Sequence, residues 1–294
     1  MERRSLLKLI GAATAVAGTG LAISKANAAE KITIALIPGL TADGFYVTMH
    51  KGAEAAAKAV GAELLYQGAA EWNVSLQVPI LDAIIGKKPS AILIAPNDKT
   101  QMIKPLKKAF DAGIQVVCVD TFIGTGIFQT GAGDADFPIS YVASDNVLGG
   151  RMAARALAKA CGEKGKVYVS NVKPGISTTD QREEGFKDEM KKFPGMVVIE
   201  TQFNDDDANK AAAQAQAVIG RVPDLAGIFG ANLFSASGTA NGVKQAGKAG
   251  KIKLAGFDAP ESIVGQLKDG TFELTISQPP AESAISASWL PLRR

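Results

Sequence analysis

The chain predicts an α/β protein of two lobes, each a parallel sheet flanked by helices. Three observations lead there. Short apolar runs rich in β-branched residues recur along the sequence, as expected of strands covered on both faces. Helical stretches of ordinary length separate them, the rhythm of βαβ units. The rhythm breaks at a Gly-rich segment over residues 124–136 and then resumes for a second series of similar size.

The N-terminus stands apart from this pattern. Arg3, Arg4 and Lys8 precede a modest apolar stretch over residues 9–23, and Ala26-Asn27-Ala28 offers a small-residue cleavage site. This predicts an export signal over residues 1–28. Arg3-Arg4-Ser5-Leu6-Leu7-Lys8 also looks like a twin-arginine signal, with Glu2 where a polar Ser or Thr is usual. Removing that segment takes four of the 32 basic and one of the 29 acidic residues. The mature chain is then formally neutral and lacks the basic footprint of a nucleic-acid binder.

In the first series, strands are predicted at 32–37, 62–66, 91–95 and 115–119. Helices lie between them at 45–60, 74–86 and 100–112, with Pro89, Pro96 and Gly113 as breaks. A short strand at 139–142 follows the Gly-rich segment. In the second series, helices 146–161, 180–192, 207–220, 235–247 and 260–268 alternate with strands 166–170, 196–202, 225–229, 252–256 and 272–277. The expected organisation is a first lobe over 29–141 and a second over 142–277. The chain passes between them near 140–144 and crosses again near Gln278, leaving a cleft. Residues 278–294 read as a crossover and an abnormal tail: PPAESAISASWLPLRR, with two prolines, a Trp and a double Arg, predicts no further regular element. Cys118 and Cys161 lie in separate elements and are expected as free thiols.

Open α/β sheets bind ligands where strands end and helices begin. Polar and aromatic residues recur at those points. The first strand leads to Asp43, Phe45 and Tyr46, the third to Asn97 and Asp98, and the fourth to Asp120 and Thr121. In the second lobe the strand ends lead to Ser177, Asp180 and Arg182, then to Asn232, Asp258 and Gln278. Carboxylates, amides and a guanidinium beside aromatic faces suit a polyhydroxylated ligand.

Structural roles compete at several positions. Asp98 and Asp207 suit helix N-termini. Asn146 suits a cap or a hinge contact. Asp205-Asp206-Asp207 reads as a solvated helix start sooner than as a cation site. Trp72 suits ring stacking or loop packing equally. His50, the single His, reads as a surface residue. Asp120 and Asp258 stand out, each directly after an apolar strand, and the glycines after Asp120 offer no immediate helix for it to cap. No nucleophile elbow, phosphate loop or Gly-x-Gly-x-x-Gly is present, and one His excludes a multi-His metal site. No enzyme, metal or cofactor is therefore expected.

The stretches DGFYVTMHKGAEAAA, ILIAPNDKT, IQVVCVDT, VASDNVLGGRMAA, DQREEGF, GIFGANLFSASG, LAGFDAPES and ISQPPAE run in order over residues 31–282. In them the chain resembles the periplasmic sugar-binding proteins of ABC importers, of the ribose-binding type. The resemblance implies the type I periplasmic-binding-protein fold: two hinged, Rossmann-like lobes closing on one sugar. Carried over by position, it implies ligand contacts at Asp43, Phe45, Tyr46, Asp120, Asn232, Asp258 and Gln278.

The departures are specific. Asp43-Gly44-Phe45-Tyr46 stands where Asn-Pro-Phe-Phe is usual. Ala95 stands where an Asn is usual, and Asp120-Thr121 where an Asp-Arg pair is usual. Asp180 stands where an Arg is usual, leaving Arg182 as the nearest guanidinium. The expected ligand is thus a monosaccharide or polyol other than ribose, or one bearing some positive charge. The implied partner is an ABC permease, the location the periplasm, and the state a monomer. The alternative is a sensing flytrap that docks a chemoreceptor or sensor kinase. The resemblance also implies a C-terminal truncation, since family members continue for a helix and a strand beyond the counterpart of Glu282.

Overall fold

The computed structural model describes residues 32–291. The expected export signal and residues 292–294 lie outside them.

Two five-stranded sheets, all parallel, form the framework. The first has the order β2-β1-β3-β4-β5, from Glu63–Tyr66, Thr33–Ile37, Ala91–Ile94, Gln115–Val119 and Ser140–Val142. The second has the order β7-β6-β8-β9-β10, from Gly195–Phe203, Lys164–Asn171, Leu225–Gly230, Lys253–Phe257 and Leu274–Ile276. Numbered within each half, both orders read 2-1-3-4-5, so the two series fold alike. The helices are α1 (Gly44–Val60), α2 (Val74–Gly86), α3 (Ile103–Asp111), α4 (Asn146–Ala160), α5 (Ser177–Met190), α6 (Ala208–Arg221), α7 (Leu233–Gln245), α8 (Glu261–Lys268) and α9 (Pro280–Trp289).

Helices cover both faces of each sheet, which is why the strands read as unbroken apolar runs. On one face of the first sheet Ala35, Ile37, Ile92, Ile94 and Val116 pack with Leu81, Ile84 and Leu106. On the other, Ile34, Leu36, Leu93 and Val117 pack with Met49 and Ala53 of α1 and with Ala284 and Ala287 of α9. The second sheet is sandwiched in the same way, with Phe186 stacked on Phe229 on one side and Tyr168, Val218 and Val243 on the other.

Helix α9 overturns the expectation of a tail without regular structure. Pro280 opens it, where a missing N–H costs nothing, and Ala284, Ala287 and Ser288 are buried. Its small residues let it approach α1 closely. A Cβ on Gly52 would lie 2.3 Å from the Ala281 carbonyl oxygen. The chain therefore crosses back after β10 and completes the helical cover of the first sheet.

Among the described residues no helix is long and apolar enough to cross a membrane. Cys118 and Cys161 are both free, and burial raises their thiols to about 12 and about 11.

Candidate ligand-binding cleft

The C-terminal strand ends of the two sheets line a common, narrow cleft with a cavity of about 30 Å³. Asp120 and Asp258 hold the same station in the two halves. Each directly follows the fourth strand of its series, and each has a left-handed backbone, with φ of 61° and 72°. Asp tolerates that conformation better than most residues. The Asp120 N–H donates to the Val142 carbonyl at 3.0 Å, and the Asp258 N–H to the Ile276 carbonyl at 2.8 Å. Their own carbonyls accept from the Tyr141 hydroxyl at 2.7 Å and the Thr275 hydroxyl at 2.5 Å. The backbones of both residues are thereby fastened to the edge strand that leads into a crossover, β5 or β10.

The carboxylates share a second feature: among the described residues one oxygen of each accepts a hydrogen bond and the other accepts none. Asp120 accepts from the Tyr46 hydroxyl at 2.6 Å, and Asp258 from the Gln278 amide at 2.6 Å. Asp43 caps α1, accepting from the Phe45 N–H at 2.8 Å. Asp206, just behind, accepts from the Asn232 amide at 2.6 Å. Its other oxygen lies beside the Trp72 indole, off hydrogen-bond geometry.

Arg182 is the one cation among the lining residues. It is 3% exposed. Its Nε donates to Asn146 at 2.8 Å, one Nη donates to the Ala231 carbonyl at 2.9 Å, and the guanidinium lies 3.9 Å over the Phe257 ring. An aromatic wall closes the other side. Phe45 meets Tyr46 edge-on at 5.2 Å, and Tyr46 meets Trp72 at 6.1 Å. Gly39 makes room for that wall, since a Cβ there would lie 2.3 Å from Trp72.

One cation does not offset this much buried negative charge. Burial, reinforced by Asp258, raises Asp43 to about 7. Burial raises Asp120 to about 6, against the pull of Arg182 and the Tyr46 hydroxyl. Burial likewise raises Asp206 to about 6, against its contacts with Asn232 and Trp72. Burial, and then the Asp120 charge, lifts the Tyr46 phenol well above its ordinary value. The cleft is rich in carboxylate acceptors, with Arg182, Thr178 and Thr179 as donors beside them. Its chemical complement is a compact molecule with many hydroxyl donors and an apolar face.

Eight of the nine residues expected from sequence line this cleft: Asp43, Phe45, Tyr46, Asp120, Arg182, Asn232, Asp258 and Gln278. Asp180 does not. It accepts from Lys99 Nζ at 3.0 Å and from the Gly175 N–H at 3.2 Å. The physical reason is helical phase. Helix α5 begins at Ser177 rather than at 180, and residues two apart on a helix point to different faces. Arg182 faces the cleft, so Asp180 faces away. The same early start puts Thr178 and Thr179 on the cleft wall, unexpected from sequence, although Ser-Thr-Thr before a helix is itself a start signal. Val172 and Ile176 were also missed, because apolar loop residues carry no polar signature.

Of the residues with competing roles, Trp72 lines the cleft. Asp98 accepts from the N–H groups of Thr100 and Gln101, and Asp207 caps α6. Asn232 does both, capping α7 while facing the cleft. His50 stacks on Tyr66 at 3.7 Å, away from the cleft.

Comparison with known proteins decides the family. The model of the periplasmic binding protein domain matches residues 34–291. This chain belongs to that family. A D-ribose/D-allose-binding protein from Pseudomonas aeruginosa is 32% identical, over 97% of this chain and 90% of its own length. A solved ABC transporter solute-binding protein from Agrobacterium vitis, bound with alpha-D-tagatopyranose, is 66% identical. It covers 89% of this chain and 88% of its own, with a TM-score of 0.87. Another, from Actinobacillus succinogenes with bound D-allose, is 29% identical over 90% and 91%, with a TM-score of 0.81. The chain is thus a solute-binding protein of the ABC-importer type with the type I fold, and its relatives are sugar binders.

Proposed function

We propose that the cleft captures a cyclic monosaccharide other than ribose, with a ketohexose such as D-tagatose foremost, and that the protein delivers it to an ABC permease. The observation that carries this reading is the acceptor array: among the described residues, Asp43, Asp120 and Asp258 each hold one oxygen without a hydrogen-bond donor. Vicinal hydroxyls supply the missing donors, and charge-assisted bonds of this kind are among the stronger ones. The Phe45–Tyr46–Trp72 wall suits the C–H face of a pyranose. The 66% identical Agrobacterium vitis protein, with its tagatopyranose, supports the ketohexose.

No chemistry is assigned to the cleft. Its carboxylates are acceptors for bound hydroxyls, not acid and base. The site comprises Asp43, Phe45, Tyr46, Trp72, Asp120, Arg182, Asn232, Asp258 and Gln278. The two lobes, the first from β1 to β5 with α9 returning to it and the second from α4 to β10, hinge where β5 meets α4 and where β10 meets α9, and closure on sugar is the state the permease reads. The protein is exported to the periplasm, by the twin-arginine route, and acts as a monomer. The test is uptake of labelled tagatose by cells with and without the protein. Uptake that depends on it is expected, and unchanged uptake would overturn the importer role.

A further inference from the structure

The residue that falls outside the cleft belongs to a set of contacts between the two halves. Lys99, just after β3, donates its side chain to Asp180 at 3.0 Å and its backbone N–H to the Gly175 carbonyl at 3.2 Å. The Gly175 N–H donates to the same Asp180 carboxylate. Deeper in, the Phe122 N–H donates to the Ser177 hydroxyl at 3.0 Å. A Cβ on Gly175, whose φ is +96°, would lie 2.9 Å from an Asp98 carboxylate oxygen. Residues 98–99 and 122 of the first half therefore grip residues 175–180 of the second at a glycine that permits the close approach. None of Lys99, Gly175 or Asp180 lines the cleft.

We propose that Lys99 and Asp180 form a clasp that sets sugar affinity from outside the site. The inference rests on the flytrap reading above. A contact present only when the lobes are together favours the closed state. Apparent affinity scales with the fraction of molecules able to close. The clasp therefore multiplies the affinity for every sugar by one factor and leaves their ranking alone. Both side chains are partly exposed, with 40% and 29% accessibility. The factor is accordingly small, about two- to fivefold, and sensitive to salt.

The test is calorimetric titration of D-tagatose and D-allose into the wild-type protein, Lys99→Met, Asp180→Asn and the charge-swapped pair Lys99→Glu with Asp180→Lys. Each single variant is expected to weaken both sugars by the same factor. At about 0.5 M salt the wild type should approach the variants, and the swapped pair should bind more tightly than Lys99→Glu alone. Single variants matching the wild type at low salt would overturn the clasp, as would loss that differs between the sugars. Failure of the wild type to bind either sugar would instead count against the sugar-binding reading itself.

Discussion

Asp120 and Asp258 are counterparts. Each stands one residue past the fourth strand of its half with a left-handed backbone, and each receives its carbonyl bond from a hydroxyl on the adjoining edge strand. The cleft is therefore built twice by the same local device, and the two copies face one ligand. Asn tolerates the same backbone, so Asp120→Asn and Asp258→Asn test the charge with little strain. Each is expected to weaken sugar binding at least tenfold while leaving the circular dichroism spectrum unchanged, given about 1.5–3 kcal/mol for a hydrogen bond to a charged group. Unchanged affinity for either variant would remove that residue from the site.

The acidic cleft makes unliganded stability depend on pH. Asp43, Asp120 and Asp206 hold their protons more tightly folded than unfolded. Between about pH 4 and pH 7 the folded chain binds more protons, so the contribution of these groups to stability is lost as pH rises. Asp43→Asn keeps a good helix cap and removes a charge. In thermal denaturation its melting temperature is expected to exceed that of the wild type at pH 7.5, with the gap closing towards pH 5. A gap independent of pH would contradict the assignment.

Sugar affinity should run the opposite way. Ionised carboxylates accept hydroxyl donors better than protonated ones. Binding is expected to weaken as pH falls from 8 to 5, through the region where Asp43, Asp120 and Asp206 take up protons. Titrations at fixed ionic strength check this.

Arg182 is held by Asn146, Ala231 and the Phe257 ring and shares the cleft with the carboxylates of Asp43, Asp120 and Asp258. Arg182→Met should abolish measurable binding and also lower stability by about 2–4 kcal/mol, since it strips two buried charge-assisted bonds and the one cation among the lining residues. Urea denaturation reads the stability part.

The closeness of α9 to α1 gives a test far from the ligand. Gly52→Val would drive a side chain into the Ala281 backbone. Overpacking of this kind costs about 1–3 kcal/mol. The melting temperature should fall, and an unchanged value would mean that α9 is not docked there.

The strands were legible because a sheet covered on both faces leaves little but apolar residues in each strand, as Ala91–Ile94 and Gln115–Val119 show. Their ends were legible because polar residues directly past such runs have few other roles. Two things were not. At α5, Asp180 and Arg182 stand two apart and so take different faces, and a start three residues earlier than expected brings Thr178 and Thr179 to the cleft wall. The helix α9 was hidden by its own composition: Pro279-Pro280 and scattered serines look like a loop until Gly52 of α1 supplies a close partner.

The central claim is that this acceptor-rich cleft binds a monosaccharide. The most direct measurement is a calorimetric titration of the folded protein with D-tagatose at pH 7.5, alongside D-ribose and a hexitol. The account predicts saturable binding of one tagatose per chain, tighter than either comparison ligand, and a stabilisation of about 2.7 kcal/mol at a hundredfold excess over Kd. No heat and no thermal shift with any sugar, from a sample that melts cooperatively, would contradict it.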